Sequence, residues 1–265
     1  MNNKLVIIRG AGDLASGIAI RLYRSGFQVV MTDLEKPLAI RRTVAFCEAI
    51  RYGNMTIEGI EAVGCEVSTV SDILSQKKIA VLADPEAKCI KALNPIAVVD
   101  AILAKKNLGT TINDAPVVIG VGPGFTAGVD CHAVVETMRG HTLGRTIYEG
   151  AALPNTNIPG LIGGFAGERV LRAPDTGVFK QVLEIGAVVK AGDIAGFVND
   201  KPMICTIDGV LRGLIAEGTD VKAGLKCGDV DPRGDTTYCT LSSDKALAIG
   251  GGVLEAILHF STKKD

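Results

Sequence analysis

The run from Lys4 to Ile8 has the length and uniform apolarity expected of a strand buried on both faces. A glycine-rich segment, Arg9-Gly10-Ala11-Gly12-Asp13-Leu14-Ala15-Ser16-Gly17, follows it. Apolar positions then recur at helical spacing through Ile20, Leu22 and Tyr23 until Gly26. Gln28 to Thr32 reads as a second strand ending at Asp33, and Pro37 suits the first position of a helix predicted to reach Arg51, where Gly53 stops it. Three further buried strands are predicted at Ile79–Ala83, Ile96–Val99 and Val117–Val121. The last of these delivers a second glycine loop, Gly120 to Gly128. Strands alternating with helices in this way predict an α/β fold with a Rossmann-like, mostly parallel sheet.

The alternation ends near residue 165. Beyond it, Gly177-Val178, Gly186, Val189-Lys190-Ala191-Gly192, Gly196 and Val198 recur as Gly209-Val210, Gly218, Val221-Lys222-Ala223-Gly224, Gly228 and Val230, always 32 residues on. Identical residues at a constant offset mark an internal repeat, and each copy reads as strand, turn, strand. A last helix is predicted from Ser243-Asp244-Lys245 through Leu258, interrupted by Gly250-Gly251-Gly252. The expected organisation is a nucleotide- or cofactor-binding domain over 1–165, a small all-β domain over 166–240, and a helix over 241–265. That helix should pack back on the first domain, because Leu247, Ile249, Val253, Leu254, Ile257 and Leu258 need a partner surface.

Composition narrows the classes. With 28 basic and 29 acidic residues among 265, the chain lacks the positive excess of a nucleic-acid binder or a polybasic membrane anchor. No apolar stretch approaches the roughly 20 residues of a membrane span. Seven cysteines without a CxxC pair, and no recognisable leader, predict a reducing, cytoplasmic setting. No cysteine or histidine pair stands at a metal-ligand spacing, so no metal site is expected.

The first loop carries the chemistry of a dinucleotide fingerprint in its Ala-ended form. Gly10 would make the tight turn, Gly12 would let a pyrophosphate approach the backbone, and Ala15 would allow close packing of helix on strand. Asp33, 21 residues after Gly12, stands where a carboxylate would hold a ribose hydroxyl pair. Asp13, at the helix start, either competes with phosphate or caps a turn that holds no ligand. In the second loop, Gly122, Gly124 and Thr126 would face the same crevice, unless those glycines serve packing alone. After Gly128, a helical reading puts His132, Glu136 and Arg139 on one face. Asp130 would cap that helix, and its N-terminus together with His132 would lower the pKa of Cys131 to give a reactive thiolate. The alternative is a buried cysteine beside a satisfied polar network. Arg41-Arg42 would reach a phosphate or lie on a solvated helix face, and Asp229, Asp231 and Arg233 form a cluster expected to be structural.

The segments IRGAGDLASGIAIRL, PLAIRRTVAFCEAI, GVGPGFTAGVDCHAVVETMRGHTLGR, GDVDPRGD and SSDKALAIGGGVLEAIL span nearly the whole chain. They resemble the accessory proteins of selenium-dependent molybdenum hydroxylase systems, the YqeB family. The resemblance implies a maturation factor that binds a nucleotide or the dinucleotide form of the molybdenum cofactor and assists selenium or sulfur insertion. Its implied partners are the molybdenum hydroxylase apo-enzyme and selenium-donating proteins, and a homo-oligomer is compatible with it. It transfers no catalytic assignment. The repeat is similar to the two halves of a barrel-sandwich hybrid of the lipoyl/biotinyl type, but it lacks the exposed hairpin lysine of a carrier domain. On this reading Gly10, Gly12, Asp13, Ala15, Asp33, Gly122, Gly124 and Thr126 bind the cofactor, and Cys131, His132 and Glu136 are candidates for chemistry. Two alternatives stay open: an NAD(P)-dependent oxidoreductase using Asp33 for the ribose, and a non-catalytic scaffold.

Overall fold

A computed structural model describes residues 4–156 and 158–262. The chain divides into two compact units. The first takes the residues up to Pro37, Ala45–Asn155 and the chain from Ser242 onward; the second takes Leu38–Val44 and Thr156–Leu241. The expected boundary near 165 therefore lies about ten residues too late, and the second unit includes a short segment from far upstream.

The first unit is a mixed α/β fold on a nine-stranded sheet. Its strands are β1 (Leu5–Arg9), β2 (Gln28–Asp33), β3 (Asn54–Ile57), β4 (Ile60–Gly64), β5 (Ile79–Ala83), β6 (Ala97–Asp100), β7 (Val117–Val121), β9 (Ala133–Val135) and β10 (Thr146–Ile147), while β8 (Thr126–Ala127) and β11 (Gly150–Ala151) pair separately. The sheet order is β10-β9-β7-β6-β1-β2-β5-β4-β3, with antiparallel pairs only at the two flanks, β10/β9 and β4/β3. The helices are α1 (Asp13–Arg24), α2 (Glu48–Tyr52), α3 (Val70–Ser75), α4 (Cys89–Leu93) and α5 (Asp244–Thr262). Leu5, Ile7, Val30, Ala80, Leu82, Val98 and Val118 alternate onto one face of the sheet, where they cluster with Val70 of α3 and Cys89 of α4. The helices α1 and α5 pack on each other and on the opposite face, against β1, β2, β7 and β9.

The glycine run 250–252 was expected to interrupt the last helix, yet α5 continues through it. Two of its glycines allow close approach. A Cβ at Gly250 would stand 3.0 Å from the Gly17 carbonyl oxygen and 2.8 Å from Arg21 Cγ, and one at Gly252 would meet the Gly144 carbonyl. The predicted helix from Pro37 to Arg51 does not form. Residues 38–44 join the second unit, Arg42–Val44 make a single 3-10 turn, and only Glu48–Tyr52 is helical. The local apolar pattern is overridden by long-range bonds. Leu214 N–H donates to the Ile40 carbonyl, Arg41 donates to the carbonyls of Tyr238 and Leu241, and Arg42 Nε donates to that of Leu214.

The second unit contains β12 (Val170–Arg172), β13 (Gly177–Gln181), β14 (Val188–Val189), β15 (Ile194–Val198), β16 (Lys201–Ile204), β17 (Gly209–Leu214), β18 (Asp220–Val221) and β19 (Lys226–Asp231). They make two four-stranded antiparallel sheets, β12-β19-β17-β14 and β16-β15-β13-β18. The repeat appears as an exchange of bonds between its copies. Gly186 N–H donates to the Leu211 carbonyl, and 32 residues on Gly218 donates to the carbonyl of Phe179, the counterpart of Leu211. Gly192 donates to Cys205, and Gly224 to Ala173, with the same swap. Strand pairing follows suit, since Val178 pairs with Asp220 and Val188 with Val210. Between the sheets lies a core that includes Phe179, Val198, Leu211 and Val230.

A buried ionic cluster joins residues at β12, β17 and β19. Arg169 pairs with Asp229, Arg212 Nε donates to Asp229 at 3.1 Å, and Arg212 Nη1 lies 2.9 Å from Asp231. Arg233, whose guanidinium lies 4.3 Å from the Tyr238 ring centroid, adds 2.7 and 2.9 Å bonds to Asp231. Among the described residues no helix is long and apolar enough to cross a membrane.

The packing of α1 on α5 gives a paired test. A Cβ at Gly17 would stand 2.9 Å from the Ala246 carbonyl carbon and closer still to its methyl, whereas a Cβ at Gly251 meets nothing within 4 Å. Gly17→Ala is expected to destabilise the protein by about 1–3 kcal/mol through overpacking. Gly251→Ala should stabilise it by up to about 1 kcal/mol, because alanine is the better residue in an exposed helix position. Urea unfolding of both variants checks the signs.

Candidate functional site

Parallel pairing brings one end of the strands into register. Arg9 lies beside Thr32 and Asp100, Asp33 beside Ala83, Asp100 beside Gly120, and Val121 beside Val135. The residues that follow these strands therefore share the carboxyl edge of the sheet, where open α/β sheets place their ligands.

The first glycine loop sits at the centre of that edge. Gly10 has φ +95°, and a Cβ there would stand 2.8 Å from the Ala101 carbonyl oxygen, so this position admits glycine alone. Gly12 differs. Its φ of −68° suits any residue, and nothing lies within 4 Å of where its Cβ would be. It is the N-cap of α1 and, as glycine, puts no side chain over the start of the helix, the end whose dipole favours an anion. Ala15 is buried beneath the helix, as close packing on the strand requires. Asp33 pins the loop: one carboxylate oxygen accepts from Ala11 N–H and the other from Leu34 N–H, both at 2.8 Å. Burial raises its pKa, partly offset by those two bonds. Ser16 Oγ donates to the Ala11 carbonyl and accepts from Phe46 N–H at 2.8 Å, tying residues 45–47 to the loop. Burial, followed by the charges of Asp33 and Glu48, raises the neighbouring Cys47 thiol well above its ordinary value, with Asp13 adding to the rise and Arg51 opposing it. The flank of the loop is thus acidic.

The second loop is shaped largely by packing. Phe125 lies over Gly120, Thr137 Oγ1 would be 2.8 Å from a Cβ at Gly122, and the Lys106 backbone would be 2.7 Å from one at Gly124. Thr126 N–H donates to Asp130 Oδ2 at 2.8 Å, and Asp130 N–H returns a bond to the Thr126 carbonyl. Asp130 therefore closes a turn and caps no helix.

No helix follows Gly128. Ala133–Val135 is a strand paired with β7, so His132, Glu136 and Arg139 do not share a helical face. Cys131 is fully buried, and burial, aided by the charges of Asp130 and Asp100, pushes its thiol up to about 11. His132 Nδ1 accepts from Val118 N–H at 2.9 Å, and burial lowers the imidazole pKa, which works against the positive charge expected beside Cys131. The expected low-pKa thiolate is corrected on both counts. Glu136 is buried and accepts from the N–H groups of Thr137 and Met138, both at 2.6 Å, and of Leu153 at 2.8 Å. Its carboxylate holds the backbone of two loops. Arg139 forms a two-bond pair with Asp244 at 2.8 and 3.1 Å.

The residues that join the two loops were not singled out in the sequence. Arg9 is buried, 3.4 Å from Asp100, and donates to Thr110 Oγ1, which in turn donates to Asp100 Oδ2 at 2.5 Å. Asn107 accepts from Gly109 and Thr110 N–H and donates to the Thr110 carbonyl and, at 3.4 Å, to Asp130. The available signal was a charged residue ending each of two buried strands, Arg9 on β1 and Asp100 on β6. Among the described residues no group of three or more His, Cys, Asp or Glu is placed to hold a metal ion.

No protein-family model matches the chain. It is 50% identical over 257 residues to a curated Escherichia coli (strain K12) protein described as uncharacterized protein YqeB, covering 97% of this chain and 48% of that protein. The chain spans about half the length of the curated relative it matches. Among solved structures, it resembles a succinylglutamate desuccinylase/aspartoacylase from Rhodobacter sphaeroides at 14% identity, covering 86% of this chain and 85% of that one, with a TM-score of 0.26. The ectoine utilization protein EutE (DoeB) from Ruegeria pomeroyi matches at 10% identity over 86% and 85%, with a TM-score of 0.27. A succinylglutamate desuccinylase from Silicibacter sp. TM1040 matches at 13% over 86% and 84%, with a TM-score of 0.25. Likenesses this slight carry no argument.

Two measurements follow from the thiols. Six of the seven cysteines are buried and Cys65 is half-buried, so iodoacetamide near neutral pH should label Cys65 first and Cys131 only on unfolding. Peptide mass spectrometry over time reads the order. Cys131, Cys205 and Cys227 have folded-state values of about 11 and Cys89 about 12, against 9.0 for an unperturbed thiol. Above about pH 9 the unfolded chain loses thiol protons that the folded chain retains, so stability is full below that pH and falls as pH rises towards 11. Urea midpoints measured from pH 8 upward should decline accordingly.

Proposed function

We propose that this chain is an accessory factor in the maturation of selenium-dependent molybdenum hydroxylases, and that it binds a nucleotide-bearing ligand at the Gly10–Ala15 loop. The reading takes the first unit as Rossmann-like and the second as a barrel-sandwich hybrid. Gly12 carries it. Neither backbone conformation nor protein packing requires glycine there, and the vacant Cβ space adjoins the N-terminus of a twelve-residue helix. A phosphate approaching the backbone is what such a position accommodates. The dinucleotide form of the molybdenum cofactor fits this donor set through its pyrophosphate, with Asp33 beside the loop for a ribose hydroxyl. When bound, that cofactor supplies the molybdenum centre that receives a terminal sulfur or selenium ligand. The chain's own part is to hold the nucleotide end and present the rest to the apo-enzyme and to selenium-donating proteins. Burial of Cys131 removes support for a relay through its thiol, so insertion is assigned to the partners.

Calorimetric titration with cytidine nucleotides, molybdopterin dinucleotide, NAD and NADP tests the reading. Binding of the cytidine-bearing ligands is expected. Gly12→Leu should abolish it with the fold intact, because φ at this position suits leucine. Asp13→Asn should tighten it by roughly two- to fivefold through removal of a like charge at the helix start. Preference for NAD or NADP would support the oxidoreductase reading instead. If no nucleotide binds, or Gly12→Leu binds as the parent does, the crevice proposal fails.

A further inference from the structure

The orientation of the Ala11–Gly12 peptide is set from outside the first loop. Its carbonyl, on Ala11, accepts from Cys47 N–H at 2.9 Å and from Ser16 Oγ at 3.3 Å. Ser16 Oγ accepts in turn from Phe46 N–H at 2.8 Å. Ala11, Ser16, Phe46 and Cys47 are all fully buried, so no water replaces these bonds when they break. A peptide unit is planar and trans, and its N–H points away from its carbonyl. Residues 46–47 therefore aim the Gly12 N–H.

The same stretch of chain is anchored at its other end in the second unit. Leu214 N–H donates to the Ile40 carbonyl and Arg42 Nε to that of Leu214, both at 2.8 Å, and Thr43 Oγ1 donates to the Cys239 carbonyl. Gly213 of β17 shows how closely this segment is seated. A Cβ there would stand 2.8 Å from Ile40 Cγ2 and 3.1 Å from the Ile40 carbonyl oxygen, and its nearest neighbours all belong to Ile40. Phe46 follows Ile40 by six positions, and the 3-10 turn Arg42–Val44 with the buried Val44 and Ala45 leaves no slack between them. We propose that residues 38–47 act as a strap: seating of Ile40 on β17 sets the aim of the Ala11–Gly12 peptide, so the β module regulates the first loop. Hydrogen bonds at both ends of a short, buried segment are a physical route for such coupling. The consequence for ligand affinity rests on the nucleotide reading above; the link between strap and loop does not.

Gly213→Ala drives a methyl group against Ile40 and leaves every residue of the first loop unchanged. In nitrogen-15 NMR of the full chain without ligand, the Gly12 amide resonance should shift in this variant. The Ala11 and Cys47 amides should exchange with solvent about tenfold faster than in the parent. Arg42→Ala removes the bond to the Leu214 carbonyl without adding bulk; it should move the same amides in the same direction, and it decides the matter alone if Gly213→Ala does not fold. Val198→Ala opens a cavity in the core between the β sheets, controls for lost stability, and should leave all three amides as in the parent. Ser16→Ala removes the hydroxyl junction, so combining it with Gly213→Ala should change the Cys47 exchange rate by less than the two single effects together. For a nucleotide that the parent binds, Gly213→Ala should weaken binding about tenfold, the loss expected when one charge-assisted hydrogen bond is misaimed. Unchanged amides in the strap variants, an equal response to Val198→Ala, or fully additive effects with Ser16→Ala would overturn the strap. If no nucleotide binds the parent, the nucleotide reading fails and the ligand-free amides still decide the strap.

Discussion

The backbone of Ala101 runs so close to Gly10 that the first loop can have no side chain there, and much of the larger unit follows from that approach. Because β1 and β6 leave the sheet side by side, Ala101 N–H donates to the Arg9 carbonyl while Gly10 N–H donates to that of Thr32. This fixes the chain at the centre of the carboxyl edge. Arg9 and Asp100, in register one residue earlier, are then forced together in a nearly solvent-free place. A buried ion pair is tolerable when further hydrogen bonds complete it, and Thr110 supplies them by bridging both partners. Recruiting Thr110 draws in residues 101–110, which carry Lys105 and Lys106 against Gly124. The second glycine loop is thereby shaped by the first.

This dependence sorts the glycines by what occupies the space beside them. Gly10, Gly120, Gly122 and Gly124 face protein atoms that would collide with a Cβ, so their identity is explained without a ligand. Gly12 faces nothing. A pattern of glycines in a loop cannot make that distinction, since a turn that needs glycine and a cradle that needs it look alike in sequence. The acidic flank formed by Asp13, Asp33 and Glu48 adds a constraint of its own: an anion at α1 must be held mainly by backbone N–H groups, the kind of donor the first turn provides.

The parts legible in the sequence are those whose cause is local. The strand–loop–helix–strand from Leu5 to Asp33 has a period, a tight turn and a terminal carboxylate within a few residues of one another. The 32-residue repeat announces itself by identity alone. Residues 37–51 misled because Ile40, Arg41 and Arg42 find their partners near residues 214, 238 and 241, and no helical periodicity encodes a bond to a carbonyl some two hundred positions away. The segment after Gly128 misled for a related reason. Its apolar residues Ala133, Val134 and Val135 are buried by pairing with β7, and three residues are too few for period two to be told from period three and a half. The Arg9–Asp100–Thr110 network escaped notice because each member looks ordinary alone and only the register of two strands brings them together.

The repeat shows how strongly topology can override sequence boundaries. Each copy supplies a strand whose partner lies in the other copy, β13 with β18 and β14 with β17, and the turn glycines of one copy donate to carbonyls of the other. A single copy would leave those pairings unmade and would expose the apolar core that both copies build, which includes Phe179, Val198, Leu211 and Val230. The two halves therefore form one cooperative object. Leu38–Val44 extends the same logic, because it satisfies the Leu214 N–H and places Arg41 and Arg42 on carbonyls of the β module. The contiguous stretch 156–241 lacks those bonds, so the folding unit is defined by completed hydrogen bonding and includes a segment that precedes most of the larger unit in the chain.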